Sequence, residues 1–159
     1  MIDTALKTRF RATCSRLLLN RFVTRTVDWL RPATSLGDRG ERYAERFLKR
    51  LGCVIVDRNY RNLIGEIDLI AVDQRTIVFV EVKTRASDYA GMPAEAVDDS
   101  KQNKIAKAAT VYLKQQGLLE CRVRFDVISV ICGLSKGQAD CDHQIEHIRD
   151  AFNAPVHTW

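Results

Sequence analysis

No run of about 18 uncharged apolar residues occurs anywhere in the 159-residue chain, so no segment reads as a membrane-spanning helix. The run Leu17-Leu18-Leu19 is too short for the apolar core of a secretory signal and is followed by Arg21 and Arg25. The five cysteines, Cys14, Cys53, Cys121, Cys132 and Cys141, are odd in number and widely spaced, with no Cys-x-x-Cys pair. That usage fits reduced thiols in a cytoplasm better than a disulfide framework. There is no P-loop, dinucleotide fingerprint, nucleophile elbow or Ser/His/Asp motif. Cys132, Cys141, His143 and His147 match no common zinc template, and core or surface roles suit them better. Internal repeats and low-complexity tracts are also lacking.

The residues that remain have globular proportions. An apolar fraction of 46% over this length supports one domain with a real core. The formal charge of +5 is concentrated at one end, where Lys7, Arg9, Arg11, Arg16, Arg21, Arg25 and Arg31 face only Asp3 and Asp28. The rest of the chain is neutral overall. Basic charge on an extension is compatible with nucleic acid, an acidic membrane surface, a partner protein or solubility alone.

Residues 5–31 read as an amphipathic helix, with Leu19, Val23, Val27 and Leu30 at spacings of three and four and arginines over much of the remainder. Pro32 ends it, and 33–37 reads as a linker. This divides the chain into a basic helical extension at 1–36, a domain at 37–152 and a tail at 153–159. Asp38 reads as an N-cap for a helix over 39–51, whose apolar stripe is Tyr43, Ala44, Phe47, Leu48 and Leu51. Glu41 falls in its first turn and Gly52 suits its end. A short strand, Cys53 to Val56, precedes the polar stretch 57–62. A second helix starts near Ala94 or Val97 and ends at Gln116, before Gly117. A strand follows over 122–131, with Val123, Phe125 and Val127 on one face and Arg122, Arg124 and Asp126 on the other. Arg124 and Asp126 read as a structural pair. The last element, 143–152, reads as a strand. The order α-β-β-β-α-β-(β) predicts an α/β domain, a mixed sheet with helices on its faces.

The decisive stretch is 65–83. Gly65-Glu66-Ile67-Asp68-Leu69-Ile70-Ala71-Val72 and Ile77-Val78-Phe79-Val80-Glu81-Val82-Lys83 are two β-branched runs joined by Asp73-Gln74-Arg75-Thr76, a hairpin. Strict alternation puts Glu66 with Asp68 on one face, and Glu81 with Lys83 on one face. Charges in otherwise apolar, covered strands are costly unless they pair or bind something. A solvated cross-strand ion pair is one outcome. The other is a hard divalent cation such as Mg²⁺ or Mn²⁺, which takes carboxylate oxygens and leaves room for water and a phosphate. Asp68 and Glu81 would hold it, Lys83 would stand beside it, and Glu41 would add a carboxylate from the helix. That set suits metal-assisted phosphodiester hydrolysis. Arg58, Asn59, Arg61, Arg85, Lys101 and Lys104 are candidates for flanking phosphates.

Asp68, a spacer of a dozen residues, then Glu81-Val82-Lys83 resembles the D…(D/E)-x-K signature of the restriction-endonuclease-like nuclease superfamily. The stretch 65–71 together with Phe79-Val80-Glu81-Val82-Lys83-Thr84-Arg85 more closely resembles the bacterial UPF0102 (YraN-like) family. Gly40-Glu41, Ala44, Asn59-Tyr60-Arg61, Lys104 and Arg124-Phe125-Asp126-Val127-Ile128 extend that resemblance over about 37–152. It implies a restriction-endonuclease-like core related to archaeal Holliday-junction resolvases. In such a core Asp68 and Glu81 would be metal ligands, joined by the Val82 carbonyl. Lys83 would be the catalytic lysine and Glu41 the helix carboxylate. Glu66 is characteristic of the family itself. The activity implied is Mg²⁺- or Mn²⁺-dependent cleavage of structured or branched DNA, rather than RNA, by a cytoplasmic protein that is a homodimer by analogy. A nucleic-acid-binding module with a vestigial site, or a protein docking through its N-terminal helix, stands as the alternative.

Overall fold

A Ser35–Asp38 capping box opens the first element. The Ser35 hydroxyl accepts the Asp38 N–H and the Asp38 carboxylate accepts the Ser35 N–H, each at 3.0 Å. In the computed structural model, which describes residues 35–86, 97–132 and 143–153, helix α1 therefore runs Leu36–Arg50. Asp38 is the reciprocal partner inside the first turn rather than the cap, so the linker reading of Ser35, Leu36 and Gly37 is corrected. Glu41 consequently sits in the second turn. The basic segment expected over 5–31 lies outside the described residues.

Strands β1 (Val54–Arg61), β2 (Glu66–Asp73) and β3 (Thr76–Ala86) follow, then helix α2 (Asp99–Gln116), β4 (Arg122–Cys132) and β5 (His143–Ile148). The five strands lie in sequence order in one sheet. Neighbours are antiparallel except β3 and β4, which are parallel. A parallel pair needs a crossover, and α2 supplies it. Asp98 caps α2, accepting the Lys101 N–H at 2.8 Å, and left-handed Gly117 (φ 68°) ends it.

The two helices cover opposite faces. On one, Tyr43, Ala44 and Leu48 of α1 pack on Leu69, Ala71, Val78, Val80, Ile128 and Val130. On the other, Ile105, Ala109, Tyr112 and Leu113 of α2 pack on Ile70, Ile77, Phe79, Phe125 and Val127. The central strands are thus apolar on both faces, as their β-branched runs predict. Each fully buried Ile, Leu or Phe contributes about 1.5–3 kcal/mol.

The stretch 57–62 departs from expectation. The strand does not end at Val56: β1 continues to Arg61, and Asp57 and Tyr60 are buried in it. A register shift between Ile55 and Asp57 and a left-handed Asn59 (φ 48°) break the alternation that marks a strand in sequence. Across from Asn59, β2 also turns over. Ile67 joins the core under α2 while Leu69, two residues on, joins the core under α1. Glu66 therefore does not share a face with Asp68 by simple alternation, and it is exposed.

Candidate metal and nucleic-acid site

Asp68 sits where β2 turns over. It lies between Ile67, in the core under α2, and Leu69, in the core under α1, and the charges of Glu81 on β3 and Lys101 on α2 act on it. Along β3, Val78, Val80 and Val82 face the α1 side, which sends Glu81 and Lys83 with Phe79 to the α2 side. The β2–β3 register pairs Leu69 with Val80, and one step further places Asp68 opposite Glu81. Instead of continuing the ladder there, the Asp68 carboxylate accepts the Val82 N–H at 2.7 Å. Asp68 and Glu81 are thus neighbours across β2 and β3, the charge of Glu81 acts on Asp68, and that of Lys83 acts on Glu81.

The two carboxyls are poorly solvated. Burial, then the charge of Glu81, pushes Asp68 up to about 6, against the pull of the Val82 N–H. Glu81 is only 9% exposed. Burial raises its pKa too, against the opposing charges of Lys101 and Lys83. Its Oε1 lies 3.2 Å from the Lys101 ammonium, whereas its buried Oε2 has no hydrogen-bond partner among the described residues. A buried carboxylate oxygen without a partner is expensive, and natural cores rarely keep one without a use.

Glu41 borders this pair. Its Oε2 accepts the Asn59 Nδ2 at 3.0 Å. Burial raises its pKa first, and the charges of Asp68, Asp38 and Glu66 add to the rise while the Asn59 bond opposes it. The preceding residue explains how α1 comes so near. A Cβ on Gly40 would stand 1.8 Å from Thr84 Oγ1, so only a bare backbone lets this helix lie on β3 beside the acid site. Glu66, exposed, pairs with Arg61 at 3.2 Å, and its charge reaches Asp68, Glu81 and Glu41.

The candidate phosphate contacts divide into groups. Asn59 and Arg61 are engaged by acids of the site, Glu41 and Glu66. Lys101 enters the site itself, through Glu81. Lys104 is exposed, and its backbone carbonyl lies against the Gly65 turn. Arg85 is half-buried at the far end of β3. Arg58 points elsewhere: its Nε is 2.8 Å from Glu45, a carboxylate buried under α1 and also held by Lys49 at 2.6 Å. The ion pairs of Lys101 and Arg58 were not legible, because neither lies near its partner in sequence.

Among the described residues, no group of three or more His, Cys, Asp or Glu side chains is arranged to hold a metal ion. Asp68 and Glu81 nonetheless fit a hard cation that needs only one or two carboxylates beside water and phosphate. They offer hard oxygens, one of them unpartnered, in a site whose negative charge is only partly offset. The zinc reading gains nothing, since His147 Nε2 is 2.8 Å from Asp126 and Cys141 lies outside the described residues. No helix among the described residues is long and apolar enough to cross a membrane.

Residues 40–130 match the model of the Uncharacterised protein family UPF0102. A UPF0102 protein of Desulfosudis oleivorans is 48% identical over 118 residues, covering 74% of this chain and 89% of the relative. One from Rhodococcus jostii is also 48% identical, over 74% of this chain and 96% of its own. One from Alkaliphilus metalliredigens is 42% identical, over 74% and 97%. The matched span contains α1 from Gly40, all of β1, β2, β3 and α2, and most of β4, hence every residue of the acid site.

Proposed function

The chain belongs to the UPF0102 family, and on that footing we propose that it is a metal-dependent nuclease of the restriction-endonuclease-like superfamily, acting on structured or branched DNA. The observation that carries the reading is the pair of carboxyls on adjacent strands, Asp68 half-buried and Glu81 buried, with Glu81 Oε2 unpartnered among the described residues and Lys83 two residues beyond. Asp68 and Glu81 would hold Mg²⁺ or Mn²⁺, with the Val82 carbonyl as a further donor. The ion supplies Lewis acidity to a phosphate oxygen and lowers the pKa of an attacking water. Lys83 Nζ donates to the phosphate, offsetting the charge that grows as the water oxygen bonds to phosphorus and the ester oxygen leaves. Glu41 and Glu66 complete the negative field at the rim. Arg85 and Lys104, with Arg61 once drawn from Glu66, meet flanking phosphates. In this reading the protein works in the cytoplasm, and a homodimer would give two cuts across a branched substrate.

The test is a panel of branched and linear DNA and of RNA, incubated with Mg²⁺ or Mn²⁺. Metal-dependent cleavage of branched DNA by the wild type, lost in Asp68→Asn and Lys83→Met, is the expected result. Without cleavage on any substrate the nuclease reading is lost. A second reading, a nucleic-acid-binding module whose site no longer cuts, is favoured by the lack of a three-ligand cluster among the described residues. It predicts salt-dependent binding without cleavage.

A further inference from the structure

The cation already inside the acid site belongs to the protein. Lys101 lies in the first turn of α2, where the Asp98 cap fixes its backbone through the 2.8 Å bond to its N–H. From there its ammonium reaches 3.2 Å from Glu81 Oε1, with about a third of its side chain exposed. Burial disfavours its charge, but Glu81, Asp68 and Glu66 together outweigh that and raise its pKa. One ammonium thus answers to three carboxylates, two of them on adjacent strands. It satisfies only one oxygen of Glu81 and leaves Oε2 without a partner among the described residues.

We infer that Lys101 is the built-in counter-ion of the acid site: its ammonium competes with a divalent cation for Glu81 and Asp68, so that loading the cation requires the lysine to withdraw. This inference rests on reading Asp68 and Glu81 as the cation ligands. The physical case is direct. A monovalent charge on a four-carbon stem offsets only part of the negative charge of three carboxylates, and a dication offsets more. Even on the two different oxygens of Glu81, an ammonium and a dication a few ångströms apart repel each other, and the repulsion falls as the lysine moves away. The lysine stem is flexible and partly solvated, so withdrawal needs no backbone movement. The apo site is therefore kept folded by an internal ion, and its affinity for metal is set by what that ion gives up.

Calorimetric titration of Mn²⁺ and Mg²⁺ into wild type, Lys101→Met, Lys101→Arg and Asp68→Asn tests this. Lys101→Met should bind at least about tenfold more tightly than wild type, since an interaction worth on the order of 1.4 kcal/mol no longer has to be broken. Lys101→Arg, which keeps the charge, should bind like wild type. Metal-free Lys101→Met should melt below wild type and gain more from added Mn²⁺. If Lys101→Met does not fold, the wild type answers alone: the NMR resonance of the Lys101 Cε carbon should shift as Mg²⁺ binds. Unchanged or weaker binding by Lys101→Met, or an unmoved Cε resonance during binding, overturns the counter-ion role. Binding by wild type that is lost in Asp68→Asn upholds the ligand assignment in either case. If neither the wild type nor Lys101→Met binds metal, the ligand assignment and the counter-ion role fall together.

Discussion

Two carboxylates of the same sheet, Asp126 buried and Asp68 half-buried, are treated in opposite ways. Asp126 on β4 is almost fully enclosed, and its partners fill its bonding capacity. Arg124 reaches its two oxygens at 2.8 and 3.1 Å, His147 Nε2 lies at 2.8 Å and the Asp150 N–H donates at 2.9 Å. Arg124 and Arg149 tie this group on to Asp73. Burial alone would raise the Asp126 pKa, yet these partners pull it below the ordinary value. Asp68, on β2, has one backbone N–H and a neighbouring acid, and its pKa goes up. Glu81 next to it keeps an oxygen with no partner among the described residues. A carboxylate whose bonds are all made internally is part of the scaffold. One left short of partners, at a place where two strands and a helix converge, is where an external ligand has something to offer. The expectation that Arg124 and Asp126 form a structural pair is met, and the pair proves to be the centre of a larger network.

The sharpest way to break this contrast is to remove each carboxylate. Asp126→Ala leaves His147 without its carboxylate and Arg124 with Asp73 as its remaining anion; breaking a buried ion pair in this way typically costs ~3–5 kcal/mol. Chemical denaturation should show that loss at neutral pH. If Asp126→Ala is as stable as wild type, the network is not what fixes β5 to β4, and the contrast fails on its structural side.

Asp68 should respond with the opposite sign. Its folded-state pKa near 6 lies above the ordinary aspartate value of 3.8, so the folded protein binds the proton more tightly than the unfolded chain. That favours folding below about pH 4 and disfavours it progressively as pH rises through 6. The difference amounts to ~2–3 kcal/mol between pH 4 and pH 7, at about 1.4 kcal/mol per pKa unit. Asp68→Asn keeps an oxygen for the Val82 N–H and removes the charge. Metal-free Asp68→Asn should therefore be more stable than wild type at pH 7, with the advantage shrinking toward pH 4. Urea unfolding of both proteins across that window reads it. A constant difference would mean that Asp68 is not crowded. Asp126 must behave the other way, since its lowered pKa gives stability that disappears only as pH falls below the usual aspartate range.

These two regions also differ in how far the sequence discloses them. Period-two alternation and β-branched runs make β2, β3 and β4 plain, and the charges interrupting them point to Asp68, Glu81 and Lys83. The sequence alone does not separate Ser35 from Asp38 as the cap of α1, since both are good caps and only their reciprocal bonding decides between them. The length of β1 is hidden too, because Asn59 and the register shift break its period. Simple alternation likewise does not assign a face to Glu66, since β2 turns over between Ile67 and Leu69. Lys101 and Glu81 lie on α2 and β3, and Glu45 and Arg58 on α1 and β1, so each pair comes together only through packing. His147 is another such case. Nothing near it in sequence tells that its ring closes on Asp126 and stacks edge-on against Phe47 at 5.7 Å.

The smallest expected effect tests the join that brings Glu41 into the acid site. Asn59 has two tasks there: its left-handed backbone (φ 48°) lets β1 turn over opposite Asp68, and its amide donates to Glu41. The tasks separate by substitution. Asn59→Gly keeps the backbone freedom and drops the amide; Asn59→Ala drops the amide and adds the left-handed penalty of ~1–2 kcal/mol. If conformation dominates, Asn59→Gly should stay within about 1 kcal/mol of wild type, the net worth of one exposed hydrogen bond, and Asn59→Ala should fall clearly below it. Equal losses would make the Glu41 bond the larger contribution. Either substitution also frees the Glu41 carboxylate from the donor that opposes the rise in its pKa, so that pKa should climb further in both. An NMR titration of Glu41 that shows no upward movement in Asn59→Gly would mean that Asn59 does not hold this acid against the site, and that α1 is positioned by its apolar packing and the Gly40–Thr84 contact without that bond.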